Sequence, residues 1–165
     1  FHNYHDVHKQ FPGTTNLGPD GKTVHSWRVA ILPYLEQKAL YDQYRLNEPW
    51  DSEHNKKLLD KMPQVFRSPN AINDTKYPSY YGLTGASSGL GDGNGEKIRS
   101  FTDGTSNTVL VVGAKREIPW TKPEDIPFDP KKKLPEFGGY HQTGFLALVA
   151  DGSVRFISKT TTRPC

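Results

Sequence analysis

The chain has 165 residues, which favours one domain, and only 34% of them are hydrophobic, so we expect a thin core. Its 21 basic and 18 acidic residues nearly balance, and the only basic run, Lys131-Lys132-Lys133, lies in a proline-flanked loop, so we expect no nucleic-acid partner. The single cysteine, Cys165, excludes an internal disulfide, and no stretch is long and apolar enough to span a membrane.

The N-terminal residues 1–11 show helical spacing. Phe1, Tyr4, His8 and Phe11 recur on one side, with Val7 beside them, and Pro12-Gly13 ends the pattern. No capping residue precedes the first turn, so we expect this segment to be the end of a longer, truncated helix.

Three histidines lie at three-residue intervals in this segment. Neighbouring pairs could share a metal ion, because residues three apart are adjacent on a helix. No further ligand lies nearby in the sequence, so we expect His8 to pack on the apolar face and His2 and His5 to be exposed.

Further helices are predicted before residue 63. Ser26 is a candidate N-cap for a helix beginning at Trp27, and Pro33 should break it before a second segment over 34–44. Asp51 is a candidate N-cap for a third helix over 52–62, which Pro63 would end.

Strands are predicted in the second half. A short strand is expected at 65–66, another at 77–83, and a buried, β-branched one at 108–113 after the turn 103–107. Helices that precede strands favour an α+β fold with an antiparallel sheet, formed by a single domain over 1–165.

A hairpin is the strongest local signal. The apolar run 145–150 and the alternating run 153–157 flank Asp151-Gly152, which predicts a two-residue type I′ turn. The apolar run should be covered on both faces, and the alternating run should lie nearer the sheet edge.

Two long segments are expected to be ordered loops. Residues 82–95 contain six glycines and should form a surface loop, and the proline- and charge-rich insertion 117–136 should be anchored only by Trp120 and Phe128.

A calcium site is one candidate for function. Asp92, Asn94 and Glu96 alternate, and Asp103 is the twelfth residue counted from Asp92, as in a calcium loop. Lys97 stands where such loops carry a glycine, so a plain solvated loop is the alternative.

A hydrolytic triad is a weaker candidate. Ser106, His141 and Asp151 have suitable side chains, but the residues around Ser106 do not form a nucleophile elbow. A structural role suits all three, and we expect neither a catalytic residue nor a cofactor, apart from the calcium considered above.

Several segments together resemble the planctomycete H-X9-DG family, a group whose central domain has no established activity. The signature corresponds to His141, Asp151 and Gly152. The other similar segments run in order along the chain and are Asn3-Tyr4-His5-Asp6, Phe11-Pro12-Gly13, Trp27-Arg28-Val29, Leu32-Pro33-Tyr34-Leu35-Glu36-Gln37, Pro49-Trp50-Asp51, Asp103-Gly104-Thr105-Ser106-Asn107-Thr108 and Pro119-Trp120.

The resemblance implies a role in assembly. Full-length members look like type IV pilins and type II secretion pseudopilins, with a cleaved and methylated leader and a long hydrophobic helix. By this resemblance residues 1–10 end that helix, which anchors the subunit in the membrane and pairs it with itself or related subunits. The head would be periplasmic or extracellular. A calcium- or glycan-binding surface module is the alternative, and a hydrolase is the third possibility.

Overall fold

The computed structural model describes residues 1–71, 75–85, 88–91 and 95–159, which form short helices followed by a sheet. The α-helices are α1 (His2–His8), α2 (Trp27–Ala30), α3 (Lys38–Gln43) and α4 (Glu53–Lys56). The strands are β1 (Asn16–Leu17), β2 (Val24–His25), β3 (Tyr80–Thr84), β4 (Val109–Gly113), β5 (Ile126–Pro127), β6 (Gly144–Val149) and β7 (Val154–Ser158). The α+β class is confirmed.

The main sheet has five strands in the order β5-β3-β4-β6-β7. Every neighbouring pair is antiparallel except β3 with β5, which run parallel, so the sheet is mixed. The β-branched strand β4 is central, and β7 is an edge strand, as its alternation predicted. Val154 and Phe156 on β7 are exposed.

The two faces of this sheet belong to different clusters. On one face, Tyr80, Val111 and Leu148 pack against the helices and the larger core. On the other, Tyr81, Val112, Phe145 and their neighbours form a second cluster with the segment that follows β4. The helices therefore cover one face, and Ile118, Ile126 and Phe128 of the insertion cover the other, whereas Trp120 of the insertion belongs to the helix-side core.

The start of α2 follows its local signals. Ser26 is the N-cap, and its hydroxyl accepts a hydrogen bond from the Arg28 N–H. Pro33 stands in a 3₁₀ turn over Leu32–Leu35, which confirms the break. The continuous segment expected over 34–44 is wrong, because Glu36 adopts a left-handed conformation and a new helix, α3, begins at Lys38.

Three predictions between residues 51 and 66 need correction. Ser52, not Asp51, caps α4, since its hydroxyl accepts the Asn55 N–H. The expected helix 52–62 divides into α4 and a 3₁₀ turn over Leu59–Lys61. The expected strand at 65–66 is a 3₁₀ turn over Gln64–Phe66, which turns Phe66 into the core.

Helix α1 is docked on the body through aromatic side chains. Tyr4 and Phe11 are buried, and Phe1 lies 5.3 Å from Trp27 between ring centroids. His8 stacks on Tyr4, as expected, but it stays exposed, whereas His5, which was expected to be exposed, is half-buried against Phe11. Val7, in contrast, is 64% exposed, so its assignment to the apolar side is wrong.

The glycine-rich segment 82–95 is not a surface loop where the structure describes it. Gly82 belongs to β3, and Gly89, Leu90 and Gly91 are buried. A Cβ at Gly89 would collide with a methyl carbon of Leu110. The glycines therefore let the backbone enter the core, which composition alone could not show.

The insertion 117–136 is also more deeply buried than expected. Besides Trp120, it buries Thr121, Asp125 and Ile126, and it contributes strand β5 to the sheet. Trp120 donates its indole N–H to the Leu59 carbonyl at 3.0 Å. The expectation of only two anchors is wrong, because the segment is part of the core.

A buried ion pair joins the helices, the sheet and this insertion. Arg28 Nη2 lies 2.9 Å from Asp125 Oδ1, and both side chains are fully buried. The same carboxylate oxygen accepts the Trp27 indole N–H at 3.1 Å and the Gly82 N–H at 2.8 Å. Arg28 also donates to the Tyr80 carbonyl at 2.9 Å. Burial raises the pKa of Asp125, and Arg28 and the N–H donors oppose this effect.

His25 is a second buried titratable group. Its Nε2 lies 2.7 Å from the Leu46 carbonyl and its Nδ1 lies 3.2 Å from the Tyr44 hydroxyl. The carbonyl can only accept, so Nε2 carries the proton and Nδ1 accepts from Tyr44. Burial lowers the pKa of His25 from its ordinary value of 6.5, although the Leu46 carbonyl and Asp20 act in the opposite direction.

We predict that Arg28→Met lowers the free energy of unfolding by about 3 kcal/mol, because it leaves a buried carboxylate unpaired. Chemical denaturation measures this. The double variant with Asp125→Leu should lose less than the sum of the single variants, since neither charge then remains buried alone. Lys38→Met, which breaks the exposed pair with Asp42, is the control and should change stability by about 0.5 kcal/mol or less. If the double variant lost as much stability as the two single variants together, the two charges would not depend on each other and the prediction would be wrong.

We predict that stability falls as the pH drops through about 6.5, because the unfolded chain then binds a proton that folded His25 resists. Denaturation midpoints measured at a series of pH values test this. His25→Gln is expected to be less stable overall, but to lose this part of the pH dependence. An unchanged slope in the variant would assign the effect to another group.

Candidate functional site

The signature hairpin has a different turn from the one expected. Gly152 has φ +89°, but Asp151 does not have a positive φ, which excludes a type I′ turn. The Gly152 N–H bonds the Val149 carbonyl at 2.9 Å, and the Val149 N–H bonds the Ser153 carbonyl at 2.9 Å. The loop is therefore the three-residue type, in which a turn is followed by one left-handed glycine.

The hairpin turn is tied to two other parts of the chain. The Ala150 and Asp151 N–H groups bond the carbonyls of Thr108 and Thr105 at 2.8 and 3.1 Å. His2 Nε2 on α1 lies 2.9 Å from the Ala150 carbonyl. The hairpin thus joins the sheet to the N-terminal helix.

The Asp151 carboxylate forms its hydrogen bonds within the hairpin turn and not with His141 or Ser106. Its carboxylate accepts the Ser153 hydroxyl at 2.6 Å and the Ser153 N–H at 2.9 Å, and these bonds lower its pKa. An Asp that bonds the backbone two residues later is typical of a turn.

His141 lies at the other end of strand β6. Its ring packs edge-to-face on Phe156, with 5.7 Å between centroids. The six residues of β6 separate it from Asp151 by roughly 17 Å. The structure therefore does not bring His141 and Asp151 together, and the arrangement imagined with Ser106 does not form.

The predicted calcium ligands are only partly visible. Asp92 and Asn94 lie outside the described residues. Glu96 folds towards Gly91, and its carbonyl accepts the Phe11 N–H at 2.9 Å, whereas Asp103 lies at the mouth of a separate cleft. Within the described ranges, no group of three His, Cys, Asp or Glu side chains is placed to hold a metal ion. The calcium site stays a prediction.

The turn before β4 is built as the sequence indicated. The Asn107 side chain donates to the Asp103 carbonyl at 2.9 Å, and the Thr108 hydroxyl donates to the Gly104 carbonyl at 3.0 Å. These side-chain bonds hold the start of the central strand.

A cleft of about 1030 Å³ lies between the insertion and the sheet face opposite the helices. Its floor includes Val112 and Phe145 from the sheet, and Phe137 packs on Phe145 with 5.1 Å between centroids. Leu134, which is 47% exposed, forms part of the outer wall. This volume is at the upper end of the range for small-molecule sites.

Cationic side chains surround this apolar floor. Lys115, Arg116, Lys133 and Lys159 line the cleft, against two acidic side chains, Asp103 and Glu136. The Lys115 ammonium lies 5.2 Å from the Tyr140 ring centroid. Arg116 donates to the carbonyls of Lys115 and Glu136 at 2.8 and 2.7 Å, which ties the insertion to the end of β4. The cleft therefore combines an apolar interior with excess positive charge.

No pattern in the sequence predicted this cleft. A signal was present in Lys115 and Arg116, two cations directly after the buried central strand. Lys133 gave no such signal, because it reads as one of three lysines in a solvated loop.

The comparisons with known proteins give a family but no activity. Residues 1–98 match the family described as "Protein of unknown function (DUF1559)". The chain belongs to this family. No curated protein and no solved structure matches the chain. The hairpin signature lies beyond the matched residues, so its H-X9-DG assignment still depends on the resemblance.

We predict that Gly152→Ala costs about 1 kcal/mol of stability, because an alanine resists the left-handed conformation there. The nearest atom to a new Cβ would be 3.6 Å away, so crowding does not contribute. Gly113→Ala is the matched control, since its nearest atom is also at 3.6 Å but its φ is not positive. Equal losses in thermal unfolding would show that the backbone conformation is not the cause.

Proposed function

We propose that the protein is a pilin- or pseudopilin-like subunit with a structural or secretion-associated role. In this proposal a hydrophobic helix preceding Phe1 anchors it in the membrane and pairs it with itself or related subunits. The described residues would form a head that is periplasmic or extracellular. The proposal adds a role to a family whose own description gives none.

The docking of α1 is the observation that carries the proposal. A membrane-anchoring helix can position the head only if the end of that helix, here α1, is packed firmly against the rest of the head. Tyr4 on the helix is 9% exposed and Phe11, three residues after the helix ends, is fully buried, so the helix is held at Tyr4 and by the residues that follow it. The bond from His2 to the Ala150 carbonyl also connects it to the sheet hairpin. A displacement of the helix would therefore move the head.

The class of the fold also supports the proposal. Pilin-like heads combine an N-terminal helix with an antiparallel sheet, and here four of the five main strands form an antiparallel set. Among the described helices, none is long and apolar enough to cross a membrane. The proposed anchor would be a separate part of the chain, so the natural gene product is the proper test material.

We predict that the full-length protein sediments with membranes or filaments and is released by detergent. Ultracentrifugation of lysed cells of the native host, followed by immunoblotting, measures this. The polypeptide of residues 1–165 is the control and should remain in the supernatant, because it lacks the proposed anchor. A full-length protein found as a soluble monomer would overturn the proposal.

A further inference from the structure

We propose that the cleft between the insertion and the sheet binds a small amphipathic organic anion. Such a ligand has an apolar, preferably aromatic, body and one carboxylate or sulfonate group. This inference does not depend on the pilin-like role. It also differs from the surface-binding module considered above, whose ligand was calcium or a glycan, because it assigns an organic anion to a different site.

The charge of the cleft excludes a cation as the favoured ligand. Lys115, Arg116 and Lys133 all line it, and within the described part of the chain none of these three forms an ion pair with a carboxylate. Lys159 adds a fourth cation, whereas Asp103 and Glu136 are the two acids. A negative group entering here would meet Lys115, Arg116 and Lys133, whose charge the two acids of the cleft do not pair with.

Arg116 is prepared to receive such a group. A guanidinium has five N–H donors, and two bonds to backbone carbonyls hold this one in place. The remaining donors can bond an anionic oxygen without the cost of first ordering the side chain. Lys115 is placed beside it, because its aliphatic chain lies over Gly139, where there is no side chain, and its ammonium faces the Tyr140 ring.

The floor selects an apolar body for the ligand. Val112, Phe137 and Phe145 belong to one hydrophobic cluster that the cleft opens onto. An anion without an apolar part, such as inorganic phosphate, would leave this apolar surface exposed to water. A ring seated on it would bury apolar area and could pack against the phenyl groups.

The lysine run in the insertion provides a matched test. Lys132 faces Asp129 at 4.0 Å, and Lys131 is exposed away from the cleft, whereas Lys133 lines it. Lys133→Gln and Lys131→Gln remove the same charge from the same loop, so they differ only in their position relative to the cleft.

Binding of 2-naphthoate by the folded chain, measured by calorimetry, tests the proposal. Lys133→Gln and Lys115→Gln should each weaken binding roughly tenfold, the value of one charge-assisted hydrogen bond, and Lys131→Gln should not change it. Naphthylmethanol has the same ring without the charge and should also bind roughly tenfold more weakly. Higher salt should weaken naphthoate more than the alcohol.

The apolar wall has its own matched pair. Leu134→Asn should weaken naphthoate binding severalfold, because it removes apolar surface from the cleft. Leu17→Asn changes a leucine on β1 of similar exposure, 53% against 47%, and should have no effect. Circular dichroism confirms that each variant is folded.

Three results would overturn the proposal. They are equal binding by the lysine variants at 131 and 133, equal binding of naphthoate and the neutral alcohol, and no measurable binding of naphthoate at millimolar concentration. The first two would show an unspecific apolar surface, and the third would show that the cleft takes no ligand of this class.

Discussion

The buried contact between Arg28 and Asp125 connects the parts of this fold that lie far apart in sequence. The two residues are 97 positions apart, and the carboxylate also receives the N–H groups of Trp27 and Gly82. Its second oxygen is buried without a hydrogen-bond partner among the described residues. Such a pair contributes little net stability over an apolar replacement, so we expect its main effect to be the selection of one arrangement of the helix, the sheet and the insertion.

That arrangement explains where the cleft lies. Asp125 holds the insertion beside β3, and the next residue, Ile126, begins the parallel strand β5. The rest of the insertion must then return over the sheet face opposite the helices, where Arg116 binds the Glu136 carbonyl. This path therefore places charged side chains of the insertion beside an apolar part of the sheet that the helices do not cover.

The hairpin signature has a structural explanation that is independent of any activity. Gly152 supplies a left-handed turn, Asp151 bonds Ser153, and the Ala150 carbonyl faces His2. His141 is remote from this turn and packs on Phe156. The constraint that the motif satisfies is the junction of the sheet with the N-terminal helix, and this junction is also what a membrane-anchored head would require.

Elements that are determined by neighbouring residues in the sequence could be predicted from the sequence alone. The cap at Ser26, the break at Pro33, the central strand β4 and the site of the hairpin follow from the residues themselves. The sequence also determined the α+β class, because helical spacing precedes alternation along the chain.

Features that depend on contacts between residues far apart in the chain were decided only by the tertiary structure. From the sequence, Asp125 is expected to be a surface charge and Leu90 a loop residue, yet both are buried. Asp125 can be buried because it pairs with Arg28, and Leu90 can be buried because the glycines beside it let the backbone enter the core. The turn type at Gly152 and the cationic cleft likewise depend on neighbours far along the chain. No local pattern encodes such contacts, since their free energy exists only when the segments meet.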